Sequence, residues 1–263
     1  MRTRRQVTLT EAGRLFLGEA RALLARADEA AALARRADRG EAGRLAIGFV
    51  SSAGYALVPD ALRAYRARYP DVTVALRDLS TATQARALAD GALDVGVLRP
   101  PVGRTSVALA VEAVRRDPLL AVLPAAHPLA AWPGERLAVA ALADEPFVLF
   151  PPGGGLADDY EDCVVGACAA GFSPRVAQEA REMATILGLV AAGLGVSLAP
   201  ASARRLRSEG VVYRPLSDTA AALDHLALAW REDTASPLVR AFLAVARVTI
   251  SGSGDETIGP EPP

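Results

Sequence analysis

Residues 43–76 read GRLAIGFVSSAGYALVPDALRAYRARYPDVTVAL. The piece LAIGFV (45–50) is apolar without alternation, as a strand covered on both faces must be. From 54 to 69 the apolar positions recur at helical spacing, until Pro70 and Asp71 break the run. VTVALRDL (72–79) then reads as a second strand. Two strands joined by a helix in so few residues form a parallel crossover. A helix at 82–91 and a short buried strand, DVGVL (94–98), extend the unit to βαβαβ, and the fold class is α/β.

A second cycle starts near residue 117. It runs through the strands PLLAVLP (118–124) and FVLF (147–150), a helix over 156–170, RVAQE (175–179), a helix over 183–193 and VSLAP (196–200). HLALAWR (225–231) and the amphipathic stretch PLVRAFLAVARV (237–248) read as a last strand and helix that return to the first lobe. The expected two-lobed body therefore spans 45–250. Lobe I covers about 45–115 and 213–250, lobe II about 116–212, and a cleft opens between them. Residues 251–263 hold too little apolar surface to join a core and are expected to be disordered.

Before the body lies RTRRQVTLTEAG (2–13), leading into a long helix over 9–40. Thr8, three residues before Glu11, has capping-box spacing, with Thr10 as the alternative cap. Leu9, Gly13, Phe16, Ala20, Leu23, Ala27, Ala30, Ala34 and Ala37 follow one another in steps of four and three, a heptad seam that Gly40 closes. Such a helix is a rod of roughly 45 Å. Its alanines bury little area by themselves, but they admit a second helix at close range. That second helix is either the same segment of another subunit or the chain's own body. In the first case Phe16, Ala20, Leu23, Ala27 and Ala30 make the contact.

Composition removes several chemistries. All 29 basic residues are arginine, so there is no P-loop, Schiff-base or Ser-Lys lysine. No GxSxG elbow occurs. Cys163 and Cys168, five apart, together with the lone His127 and His225, do not make a metal set. No metal, cofactor or catalytic residue is expected, and both cysteines read as buried helix residues of a reducing cytoplasm. No apolar run reaches the roughly 18–20 residues of a membrane span, and no signal-peptide core follows the N-terminal arginines, so no membrane association is expected. Residues 1–44 carry ten arginines against six acids, while the remainder carries 19 against 24. A basic front of this kind suits either a nucleic-acid-facing end or a solvated helix.

Ligands of open α/β sheets gather at strand carboxyl ends. Ser51 and Ser52 follow the first strand; Ser80, Thr81 and Thr83 follow the second; Arg99 follows the third. Hydroxyls, helix-start N–H groups and a guanidinium together suit a small carboxylate. The plainer reading makes the hydroxyls helix caps and pairs Arg99 with a neighbouring carboxylate.

The stretches RQVTLTEAG and residues 43–76, then LADGALDVGVLRPP, LLAVLPAAHPLA, PFVLFP and ILGLVAAGLGVSLAPAS, occur in an order that resembles the LysR-type transcriptional regulators. The resemblance covers residues 2 to about 248. It implies a two-lobed effector domain similar to type 2 periplasmic binding proteins, preceded by a dimerising linker helix, with residues 1–8 as the end of a DNA-binding wing. It also implies about fifty residues before Met1 that carry a winged helix-turn-helix; without them Arg2, Arg4 and Arg5 would touch only DNA backbone. Promoter DNA is then a partner only together with that domain, and the homo-oligomer is a dimer or tetramer. The resemblance places the effector cleft on Ser51, Ser52, Thr81, Arg99, Phe150 and Pro151, to which the strand-end reading adds Thr83. GFVSSAGY and STATQARAL resemble the branch that senses aromatic compounds and their dicarboxylate breakdown products. A free-standing solute-binding protein of the same shape is the alternative; it has no use for the long helix and needs an export signal. An enzyme working in the cleft is the third reading, and it lacks a nucleophile motif.

Overall fold

The computed structural model describes residues 9–151, 172–207, 209–217 and 225–252. The expected wing remnant at 1–8, with Arg2, Arg4 and Arg5, lies outside them, as do the helix expected over 156–170, both cysteines and the tail beyond 252.

α1 runs Glu11–Asp38. Of the two threonines considered as its cap, Thr10 does the work: its hydroxyl accepts from the Gly13 N–H at 3.1 Å. The helix stops where Gly40 takes a φ of 71°, and an added Cβ there would meet Pro237 backbone at 2.8 Å. No residue of α1 is buried, so the helix does not lie on its own body.

The first lobe is a five-stranded sheet in the order β2-β1-β3-β10-β4. Its strands are β1 (Gly43–Phe49), β2 (Val72–Asp78), β3 (Val95–Leu98), β4 (Leu109–Arg116) and β10 (His225–Arg231). β1 pairs parallel with β2 and β3, while β10 runs antiparallel to both β3 and β4. The helix read over 54–69 is in fact two pieces, α2 (Ser51–Gly54) and α3 (Leu57–Arg68), broken at Ala56. α4 is Thr81–Ala89, and the last helix, α6 (Pro237–Gly252), packs beside α3. Leu45, Ile47, Tyr65, Val97, Leu228 and Phe242 share one buried cluster, so the C-terminal strand and helix belong to the first core, as the chain's return requires.

Two glycines set the height of α4 above this sheet. A Cβ on Gly48 would come within 2.6 Å of Leu93, and one on Gly96 within 2.9 Å of the Gln84 amide oxygen. Their absence lets the fully buried Gln84 lie flat and donate to the carbonyls of Leu79 (2.8 Å) and Val97 (3.4 Å). The start of α4 is thereby held against the strand ends.

The second lobe repeats the plan. β5 (Leu119–Pro124) sits between β8 (Ser197–Pro200) and β9 (Val211–Pro215), antiparallel to both. β6 (Pro146–Leu149) pairs parallel with β7 (Arg175–Glu179) and bridges through Phe147 to Val196, just ahead of β8. The order β7-β6-β8-β5-β9 reproduces that of the first sheet, with β5 entering from the other lobe as β10 does. α5 (Met183–Ala191) covers this sheet. Two strands were absent from the sequence reading. β4 (LAVEAVRR) is broken by Glu112 and ends on two arginines, and as a half-wet edge strand it has no continuous apolar run to announce it. β9 (VVYRP) also lies at an edge, and because it pairs with β5 the return to lobe I comes after residue 215 rather than near 213.

Candidate functional site

The carboxyl ends of β1, β2 and β3 meet at the lobe junction and deliver Ser51, Ser52, Ser80, Thr81 and Arg99 to one place. Of the hydroxyls that the sequence offered as caps or contacts, only Ser80 caps a helix, accepting from the Thr83 N–H at 3.4 Å. The N-cap of α2 is Val50, which leaves Ser51 and Ser52 inside the helix with other duties. Ser51 donates to both carboxylate oxygens of Asp78, at 3.1 and 3.0 Å. Thr83 accepts from Ser80 Oγ at 3.0 Å and from Arg86 at 3.4 Å.

Arg99 is buried, and its charge is met inside the protein. Nη2 donates to Asp117 Oδ2 at 2.7 Å and Nη1 to the Asp117 carbonyl at 3.0 Å, with both side chains less than a tenth exposed. Asp117 also accepts from the Ser202 N–H at 2.7 Å and the Ser202 hydroxyl at 3.0 Å. Arg99 follows β3 in the first lobe, Asp117 lies on the β4–β5 crossing, and Ser202 follows β8 in the second lobe. One carboxylate thus joins both lobes to the hinge. The expectation that Arg99 would await a ligand carboxylate gives way to the plainer one: the guanidinium is a buried ion-pair member, because an unpaired charge at that depth is costly. Thr81 is spent in the same joint. Its hydroxyl donates to the Arg99 carbonyl at 3.1 Å and accepts from the Arg99 N–H at 3.2 Å.

Ser52 differs. Its oxygen accepts from Arg99 Nη2 at 3.4 Å, a role that leaves the O–H proton to be donated. Phe150 and Pro151 follow β6 as Val50 and Ser51 follow β1. Phe150 packs on the second-lobe cluster, and so does Tyr55, which reaches over from the first lobe.

Sequence reasoning missed Asp117, Ser202, Asp78 and Tyr55. Asp117 had a signal, an acid wedged between two arginines and a proline in RRDP; the others look like ordinary turn residues until the lobes close. Burial chiefly, with Asp78, Asp117 and Glu182 nearby, pushes the Tyr55 phenol up to about 12. Burial also raises Asp78, against the lowering effect of its bond from Ser51. Tyr65, buried in the first core with no hydrogen-bond partner for its hydroxyl among the described residues, is likewise pushed up to about 12.

The sign of the tyrosine linkage is definite. The unfolded chain releases these protons near pH 10 and the folded chain near 12, so stability falls as pH rises through that window. Tyr55→Phe is expected to flatten part of the fall, seen as a smaller drop in Tm between neutral and alkaline buffer. An unchanged drop would mean that Tyr55 ionises as freely folded as unfolded.

The model of the LysR substrate binding domain matches residues 38–249. The chain belongs to the LysR family. The transcriptional regulator AlsR of Bacillus subtilis (strain 168) is 36% identical over 245 residues, which are 93% of this chain and 79% of AlsR. Among solved structures, full-length CbnR complexed with its target DNA matches at a TM-score of 0.74 and 25% identity, covering 95% of this chain and 83% of CbnR. The BenM effector binding domain with its effector benzoate matches at a TM-score of 0.69 and 28% identity, covering 84% of this chain and 96% of that domain. LysR-family proteins are transcriptional regulators and not enzymes. They bind small effectors, form oligomers and bind promoter DNA. The two-lobed body seen here is the family's effector domain. No helix among the described residues is long and apolar enough to cross a membrane.

Proposed function

We propose that this LysR-family chain senses a small carboxylate, aromatic or derived from aromatic breakdown, between its two lobes. In this reading the lobes' response passes through α1 to a DNA-bound oligomer and so controls a promoter, in the cytoplasm. Its support is the similarity to a domain that holds benzoate, together with one local observation: Ser52 takes a hydrogen bond from a buried arginine and keeps its own proton to give. A carboxylate placed there receives a hydroxyl polarised by positive charge, without requiring Arg99 to leave Asp117. Thr83 at the start of α4 is a second contact, and Phe150 and Pro151 supply an apolar wall from the second lobe. Ser51 contributes only if the ligand competes with Asp78 for its hydroxyl. The long α1, exposed along its length, suits an oligomerising regulator and has no use in a free-standing solute-binding protein.

Calorimetric titration of the whole chain with benzoate, muconate and related acids tests this reading. Ser52→Ala is expected to weaken the acid that binds by about one to two powers of ten, the usual worth of a hydrogen bond to a charged acceptor. Ser52→Thr keeps the hydroxyl and should restore most of the affinity. Full affinity in Ser52→Ala would remove the carboxylate from this place, and binding of none of the acids would remove the effector class.

A further inference from the structure

A separate cavity of about 270 Å³ lies on the hinge. Ser51, Ser52, Thr81, Thr83 and Arg99 do not line it. Its walls come instead from both lobes and from the crossing between them. Arg115 and Arg116 end β4, Leu119 and Leu120 open β5, Arg204 and Arg205 follow β8, and Leu216 follows β9. Arg136 lines it as well.

The charge on these walls is one-sided. Five arginines and one aspartate line it; Asp117 is committed to Arg99 and Ser202, Arg205 pairs with Asp60 and Arg116 is engaged elsewhere, which leaves Arg115, Arg136 and Arg204 without a carboxylate partner among the described residues. Gathering like charges costs stability unless an anion relieves it. Several of the arginines are also held in place. Arg136 donates to the Leu216 carbonyl at 3.1 Å, Arg204 lies 5.6 Å from the centre of the Tyr213 ring, and Arg205 is 4.0 Å from the Asp60 carboxylate. Fixed guanidinium groups in number are the means by which proteins recognise phosphate, since their planar forks match its oxygens. Leu119, Leu120 and Leu216, all buried, give the cavity an apolar floor. At roughly 30 Å³ per water-sized unit, the space admits a compact molecule of about nine such units and excludes a nucleotide chain.

We propose that this cavity is a second ligand site, for a small phosphate-bearing metabolite, distinct from the interlobe carboxylate site and not dependent on it. The phosphate engages the arginines and the carbon skeleton lies on the leucine floor. Because both lobes and the crossing contribute, an occupant ties the lobes at one angle and thereby couples to whatever the cleft senses. The binding needs no chemical step.

The test titrates the whole chain with inorganic pyrophosphate, glycerol 3-phosphate, citrate and glycerol at about physiological ionic strength, where the Debye length of about 8 Å screens loose surface attraction. Saturable binding of pyrophosphate and glycerol 3-phosphate, with a raised Tm, is the expected result; glycerol should not bind. Arg204→Gln with Arg115→Gln should weaken glycerol 3-phosphate by about tenfold or more per guanidinium removed, while Ser52→Ala leaves it unchanged. Circular dichroism of the arginine variant confirms that it is folded, and Arg136→Gln gives an independent second reading. Phosphate binding that ignores all three arginine changes overturns the site. Citrate binding with no phosphate binding overturns the ligand class. Heat that vanishes at physiological salt shows non-specific attraction only and overturns both.

Discussion

Replacing Asp117 by alanine should destabilise the fold by about 3–5 kcal/mol, the cost of leaving a buried charge without its partner. Arg99 and Asp117 are 7% and 2% exposed. Removing the carboxylate strands a guanidinium where water scarcely reaches it, and the Ser202 N–H and hydroxyl lose their acceptor as well. Because the carboxylate joins lobe I to lobe II at the hinge, the loss should also make the two lobes unfold less cooperatively. Urea titration followed by fluorescence and circular dichroism reads both effects: a lower midpoint, and transitions by the two probes that separate. Replacing both partners with apolar residues of similar volume, Arg99→Met with Asp117→Leu, should recover much of the loss, since a removed pair costs far less than a broken one. A single Asp117→Ala change costing under about 1 kcal/mol would show that the pair is solvated in solution. The same geometry makes Arg99→Ala a poor probe of effector binding, because its effect would mix lost stability with lost affinity.

Phe16→Glu combined with Leu23→Glu should convert the protein from an oligomer to a monomer. Both residues lie on the heptad seam and are about three-quarters exposed along a helix that buries none of its residues. A two-fold helix pair would bury four such side chains at about 1.5–3 kcal/mol each. Their loss, with carboxylates set facing one another, outweighs what the alanine seam can contribute. Leu15, Leu24 and Leu33 are exposed too but lie off the seam, so a Leu33→Glu control should leave the oligomer largely intact. Sedimentation velocity over a range of concentrations reads the result. If the seam variant sediments like the parent, α1 does not hold the subunits together, and the assembly uses another face.

Much was legible before any coordinates because it depends on neighbours in sequence. Strands covered on both faces must be continuously apolar, so β1, β3 and β5 announced themselves, and the run of strand, helix and strand could only be a parallel crossover. Gly40, Pro70 and the heptad steps marked helix ends and the seam in the same local way. Edge strands such as β4 and β9 are only half covered and are interrupted by charged residues, so their signal in sequence is weak.

The chemistry at the lobe junction was legible only as a list of residue types. Ser51, Ser52, Thr81 and Arg99 could be placed at strand ends by counting along the chain, since topology alone puts them there. Which of them is spent within the protein and which has a proton to give depends on Asp117, eighteen residues on from Arg99, and on Ser202, eighty-five beyond Asp117. Hydrogen bonds and ion pairs are short-ranged, and burial decides their worth. Sequence patterning therefore determined the α/β elements of the two lobes and the long N-terminal helix. Only the closing of one lobe on the other, which brought a hinge carboxylate against a buried arginine, decided that Arg99 is held in an ion pair with Asp117 and that Ser52 keeps a proton to donate.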